Sequence, residues 1–302
     1  MTTRIGSDAL RAARESAVTA LLGPAATVRL AGPDARRFCN GMFTANVNDL
    51  QVGHTARSAL TDDRGRVFGF LDLLCTADDT FLALLDGIDA PGFMERFEKF
   101  VVFDDVTMTD ETARWVRVTE QGPAVKGPAG GVFTEHDGTI VLAARRSPAG
   151  GLDRLLSAGR HVDAVGRSVG PEDIDALRVL AGRVAFPADT GDKGLPHELG
   201  LRDEMLSFEK GCYVGQEAIN RIDVMGTVKR ALAGVHVPEP RDRTAEDVVV
   251  GDAVLGKLTS PVILPDGSLF GLAVLRKPAD TPGTTATVGG AAAIVTALPF
   301  VP

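Results

Sequence analysis

Apolar positions recur along the chain at two spacings, and the alternation between them predicts most of the elements. Leu10, Ala13, Ala17 and Leu21 fall at helical intervals and predict a helix over 7–22, capped by Ser7 or Asp8. Residues 26–30 read as a strand that Gly32 breaks, and Pro33-Asp34 opens a helix to Met42 with Phe38, Cys39 and Met42 on its apolar side. A strand starts at 58–60, turns at Asp62-Asp63-Arg64-Gly65-Arg66, and returns as 67–74, which pairs with 80–85. An amphipathic helix over 91–100 turns Phe93, Phe97 and Phe100 inward, and strands are expected at 101–108 and 115–119. The Gly- and Pro-rich 121–131 is a loop, 139–144 a strand and 151–159 a short helix. A further helix over 171–182 opens on Pro and an acidic turn and buries Ile174, Leu177 and Leu180. Strands alternating with single helices predict an α+β or split βαβ arrangement.

Residues 183–201 carry Pro187, Gly191, Gly194, Pro196 and Gly200, which interrupt any regular element; so long a loop in a compact protein is often functional. A short strand at 205–209 follows, then a turn. A helix comes next over 216–225, burying Ile219, Ile222 and Met225. Beyond Gly226 the pattern changes to short strands at 228–237, 248–250, 253–258, 269–275, 284–288 and 291–296, predicting a small antiparallel barrel or sandwich. The domain boundary is therefore expected at 227, with 1–226 forming two α+β subdomains divided near 110–175, and 227–302 the β unit.

At 302 residues the chain is long enough for two or three domains, and 44% hydrophobic residues supply ample core. A formal charge of −8 argues against broad binding to nucleic acid or anionic membrane. An anionic ligand would need a local basic patch, for which Arg178, Lys210, Arg221, Lys229 and Arg230 are candidates. Cys39, Cys75 and Cys212 form no disulfide framework and suit a reducing compartment. With no apolar leader core and no bilayer-length apolar run, a soluble cytoplasmic protein is expected.

Chemistry concentrates in Lys210-Gly211-Cys212-Tyr213-Val214-Gly215-Gln216-Glu217, where a thiol, an ammonium, an amide, a carboxylate and the only tyrosine share eight residues. A single cysteine most often fills space in a core, but Lys, Gln and Glu are poor neighbours for a core thiol. Placed in a turn before a helix and beside Lys210, Cys212 would favour its thiolate and could serve as nucleophile, ligand or redox group. Cys39 and Cys75 read as packed residues. The five histidines have no metal-site spacing; His197, in the long loop, is the best partner for a Cys–His pair, although a surface or capping role suits it better. The 126–131 segment lacks the Gly-Lys-Ser/Thr ending of a phosphate loop.

The octapeptide closely resembles the signature of the YgfZ family, folate-binding relatives of the glycine-cleavage T-protein that act in iron–sulfur cluster assembly or repair. Val28-Arg-Leu-Ala-Gly-Pro-Asp-Ala, Leu60-Thr-Asp-Asp-Arg-Gly-Arg-Val, Gly256-Lys-Leu-Thr-Ser-Pro and Leu298-Pro-Phe resemble other family segments, so the likeness spans most of the chain and is weakest in the middle third. It implies T-protein-like α+β domains with split βαβ (ferredoxin-like) units and a C-terminal antiparallel barrel. It also implies tetrahydrofolate held in a central cleft by Thr44, Asn46, Arg178, Glu198, Tyr213, Gln216, Glu217 and Arg230. Cys212 and Lys210 would supply the chemistry, and the partners would be iron–sulfur client or assembly proteins. Two departures separate the chain from T-proteins. Leu180 stands where their pterin-gripping Glu would be, and Gly69-Phe70 where their catalytic Asp would be. Aminomethyl transfer is thus the second reading, a plain interaction module the third, and a retained folate needs another acceptor such as Glu198, Glu217 or the backbone.

Overall fold

Secondary structure departs from local spacing at its first element. In the computed structural model, which describes residues 2–226, 228–242 and 244–300, strand β1 (Thr3–Arg4) precedes helix α1 (Ser7–Glu15), and the chain then becomes strand β2 (Val18–Pro24). Val18 and Thr19 are β-branched, and β2 is held between two partner strands, so sheet pairing overrides the helical interval; Leu21 is left 60% exposed.

The first sheet contains β3 (Thr27–Ala31), β4 (Thr55–Thr61), β5 (Val67–Ala77), β6 (Thr80–Asp86) and β7 (Thr107–Asp110), in the order β4-β5-β6-β3-β7. Helices α2 (Ala35–Met42) and α3 (Ala90–Glu98) cover it, with the rings of Phe43, Phe93 and Phe97 packed together at tilted and edge-on angles. Because β3 is antiparallel to both β6 and β7, β6–α3–β7 is a split βαβ unit. The second sheet adds β8 (Trp115–Gln121), β9 (Phe133–His136), β10 (Thr139–Ala143), β11 (Gly151–Ser157) and β12 (Arg167–Ser168), in the order β12-β2-β8-β11-β10-β9.

Helix α4 (Pro171–Leu180) joins the parts: Ile174 and Leu177 share one core with Val18, Phe70 and Phe270. The long loop follows, then α5 (Arg202–Met205) and α6 (Gln216–Met225). The C-terminal strands are β13 (Arg230–Val237), β14 (Asp247–Val250), β15 (Ala253–Ile263), β16 (Leu269–Arg276), β17 (Thr285–Val288) and β18 (Ala291–Thr296). Pairing of β15 with β16 closes them into a six-stranded antiparallel barrel, which β1 joins by a parallel bridge of Thr3 to Val262. The expected boundary residue, Thr227, lies outside the described residues.

The α+β architecture with a terminal barrel is as expected, but several elements differ. The helix expected over 151–159 is instead strand β11 (Gly151–Ser157) and a turn, because β11 pairs along its full length with β8. A Cβ at Gly151 would lie 2.1 Å from the Glu120 carbonyl oxygen, a distance only glycine permits. Of 101–108 only the end is a strand, and Val102 and Phe103 are exposed. The strand expected at 205–209 is instead the end of α5 and irregular chain. Phe100 and Met225 face outward, 38% and 70% exposed. No helix of the described residues is long and apolar enough to cross a membrane.

Candidate functional site

The octapeptide forms an irregular loop between α5 and α6, and its neighbours fix it. Gly215, at φ +86°, caps α6 where a Cβ would meet the Asp62 carbonyl oxygen at 2.5 Å, so only glycine lets the loop lie against the 62–66 hairpin. Thr61 Oγ1 donates to the Val214 carbonyl at 2.9 Å, and the Val214 N–H donates to the Gly41 carbonyl at 3.2 Å. Lys210 Nζ donates to the carbonyls of Phe43 at 2.8 Å and Ala45 at 2.6 Å. Burial lowers its pKa to about 8. The cation expected to activate the thiol is therefore a strap to the 43–45 turn. Thr44, fully buried, is part of the same strap: its hydroxyl donates to the Met205 carbonyl at 2.6 Å and accepts the Ala59 N–H at 3.0 Å. Cys212 is exposed at the outer edge of this fixed loop, while Cys39 and Cys75 are buried.

Tyr213 turns inward, 6% exposed, with its hydroxyl unpartnered among the described residues and its pKa pushed up to about 12 by burial. His197 is neither a surface nor a capping residue. Its side chain is 3% exposed, Nε2 lies 3.5 Å from Asp223 Oδ1 on α6, and burial lowers its pKa. Asp223 is itself held by Arg202.

Other expected ligand residues separate into three groups. Glu198 and Arg230 pair with each other, at 2.9 and 2.7 Å, beside a cavity of ≈ 490 Å³ between the long loop and the barrel. Arg178 is held by Asp175 at 2.6 Å and Asp189 at 2.7 Å. Gln216 and Glu217 lie in the first turn of α6, Glu217 exposed. The proposed basic patch is thus dispersed, and neither Glu198 nor Glu217 is a free buried acceptor.

A central cleft, built from both sheets, α4 and the long loop, brings together residues that the sequence reading missed. An inner chamber of ≈ 250 Å³ has Phe70, Ile174, Val184 and Phe186 as apolar walls. An outer chamber of ≈ 540 Å³ opens between Asn46 and Ser207 on one side and Gly130 and Gly131 on the other. Arg57, Asp72, Ala143 and Arg145 line both chambers and form the neck.

At the neck, the Asp72 carboxyl makes no hydrogen bond or ion pair among the described residues. Burial raises its pKa against the pull of Arg57 and Arg117. Arg57 Nε is buried without an acceptor, although its Nη1 is 3.4 Å from Glu204. Below, Asp153 is fully buried, 2.6 Å from Arg117 and 2.9 Å from Arg146, and these two guanidiniums hold its carboxyl below the usual range. A trace of this site was visible in sequence: Asp72 is the single charge in the apolar stretch Val67-Phe-Gly-Phe-Leu-Asp-Leu-Leu. Cys212 lines neither chamber. The loop reaches the cleft at its other end, through Ser207 and the strapped Ala45–Asn46 turn.

Residues 5–138 match the family profile described as GCVT N-terminal domain. Among curated proteins, an aminomethyltransferase of Cutibacterium acnes is 27% identical over 88% of this chain and 81% of its own length. The tRNA-modifying protein YgfZ of Serratia proteamaculans is 26% identical over 84% of this chain and 83% of its own. The crystal structure of the glycine cleavage system aminomethyltransferase T from Bartonella henselae superposes with a TM-score of 0.82 at 18% identity, covering 97% of this chain and 88% of that one. The chain is similar to YgfZ proteins and to aminomethyltransferases alike, as its octapeptide and hairpin segments suggest.

Proposed function

We propose that this chain, which carries a GCVT N-terminal domain and a YgfZ-like octapeptide, binds a tetrahydrofolate in the central cleft and assists assembly or repair of iron–sulfur clusters in client enzymes. The observation that carries the folate reading is the pair of unmet groups at the neck. A pterin edge offers adjacent N–H donors beside a carbonyl, and Asp72 is a half-buried carboxyl facing the cleft without a donor, while Arg57 Nε is a buried donor without an acceptor. Partial desolvation disfavours each group until a ligand completes it. The apolar walls of the inner chamber suit the faces of a flat bicyclic ring. Asp72 supplies the acceptor that Leu180 cannot, two residues along β5 from Phe70 and on the same face of the strand.

Cys212 is the thiol offered to the client. It is exposed on a loop anchored through Lys210 to the turn that borders the cleft, so a ligand and an approaching protein would both meet this fixed segment. Catalysis of aminomethyl transfer is the weaker reading, because Leu180 and Gly69-Phe70 stand where its two carboxylates would be, with Leu180 and Phe70 buried in the apolar core.

Calorimetric titration of tetrahydrofolate into the wild-type protein should give saturable heat. Its absence at high ligand concentration removes the folate reading. A deletion strain complemented with Cys212→Ala should fail to restore iron–sulfur enzyme activity; full restoration removes the thiol from the mechanism. Robust glycine-cleavage turnover with purified partner proteins would establish the aminomethyltransferase instead.

A further inference from the structure

The unmet groups at the neck carry the folate reading one step further, to which pteridines the site accepts. Arg57 on β4 and Asp72 on β5 are directly opposite in the antiparallel register, so their side chains leave the sheet on one face, with Cβ atoms about 5 Å apart. Such a pair is placed to form an ion pair, yet Asp72 makes none among the described residues. Arg57 instead sends Nη1 to Glu204 on α5 at 3.4 Å, and its Nε–H is left buried without an acceptor. Arg145, the other cation that lines both chambers, also interacts electrostatically with Glu204. Asp72 therefore keeps a free acceptor and Arg57 a free donor, on neighbouring strands where the two chambers meet.

We propose that Arg57 is a specificity-determining residue of this site: its Nε–H donates to the 4-oxo group of a pterin whose N3–H and 2-amino group donate to Asp72, so that the site takes 2-amino-4-oxo pterins and rejects 2,4-diamino pteridines. A 2-amino-4-oxo edge presents two N–H donors and then a carbonyl, the complement of a carboxylate beside an N–H. A 2,4-diamino edge presents an amino group, a bare ring nitrogen and a second amino group. Its N3 lone pair would face the Asp72 carboxylate and its 4-amino N–H would face Arg57 Nε–H, so like groups oppose each other at two positions. Turning the ring to offer a protonated N1 and the 2-amino group to Asp72 restores only half of the match. Arg57 then meets N3, which amino donors flank on both sides. The inference rests on the folate reading and is tested apart from it.

Tetrahydrofolate and its 4-amino-4-deoxy analogue share the whole p-aminobenzoylglutamate arm and differ only at the pyrimidine edge. Both are titrated by calorimetry into the wild-type protein and into Arg57→Gln. The wild type should bind tetrahydrofolate at least about a hundredfold tighter than the analogue. The carboxamide of Arg57→Gln turns to offer either its N–H or its oxygen, so this variant should bind the two nearly alike, and tetrahydrofolate more weakly than the wild type does. The wild-type ratio decides the matter by itself if the variant does not fold. If neither ligand binds the wild type, the folate reading itself falls. If tetrahydrofolate binds but the analogue matches it, or if Arg57→Gln keeps the wild-type preference, the role of Arg57 alone is overturned.

Discussion

Asp72→Asn separates what the neck does for binding from what it does for folding. In the folded protein the half-buried carboxyl has lost part of its hydration and gained no hydrogen bond among the described residues, which raises its pKa above 3.8. An acid with a raised folded pKa keeps its proton to higher pH in the native state than in the unfolded chain. Stability therefore declines as pH rises from about 4 through the folded pKa. At pH 7 the ionised group opposes folding, and an amide of the same size removes the charge. An unmet buried polar group is unfavourable by about 1–3 kcal/mol, and part of that is offset here by Arg57 and Arg117. Asp72→Asn should then be more stable by about 1 kcal/mol at pH 7, with the difference vanishing near pH 3.5, where both side chains are neutral. The same change removes the acceptor for the pterin edge, so tetrahydrofolate affinity should fall by about tenfold to a hundredfold. Urea unfolding at pH 7 and pH 3.5, with calorimetric titration at pH 7, measures both effects. A variant that is destabilised at pH 7, or that binds tetrahydrofolate undiminished, refutes the assignment of Asp72 as an unmet carboxylate awaiting a ligand.

Lys210→Met removes two hydrogen bonds from an ammonium and leaves the Phe43 and Ala45 carbonyls unmet, so chemical denaturation should show a loss of about 2 kcal/mol. Because the pKa of Lys210 is lowered from 10.5 to about 8, the native state binds fewer protons than the unfolded chain between those values; wild-type stability should rise with pH across that window and the variant should lose the rise. Arg117→Met leaves the fully buried Asp153 with Arg146 as its one remaining ion-pair partner among the described residues and should cost about 3 kcal/mol at pH 7. Since the Asp153 carboxyl is held below its usual range, that gap should narrow as pH falls below about 4 in acid unfolding curves. Gly215→Ala puts a Cβ against the Asp62 carbonyl at a left-handed φ and should destabilise by at least about 1–2 kcal/mol, while Gly211→Ala, with open space around it, should leave the melting temperature nearly unchanged.

The barrel strands were legible because each is a short apolar run punctuated by Gly, Pro or Asp-Gly, a signal that needs no distant partner. The hairpin at 62–66, the buried Cys39 and the helix over 216–225 were legible for the same local reason. The turn before that helix, with its exposed Cys212, was also visible, since two glycines and a run of polar residues leave a thiol nowhere to pack.

Other features depended on residues far away in the chain. Val18–Pro24 and Gly151–Ser157 carry apolar spacings that admit helix or strand, and β8 decided both by pairing with each. Only the folded chain joins Thr3 to Val262 in the barrel, sends Lys210 to the Phe43 and Ala45 carbonyls, and lets Glu198 and Arg230 neutralise each other. The sequence by itself determined which segments could form elements and where an exposed thiol would stand, because those depend on periodicity and turn chemistry within a few residues. Tertiary structure alone decided which charges are satisfied. Whether Asp72 and Arg57 are met or unmet depends on the groups that three sheets and a helix bring within about 4 Å of them.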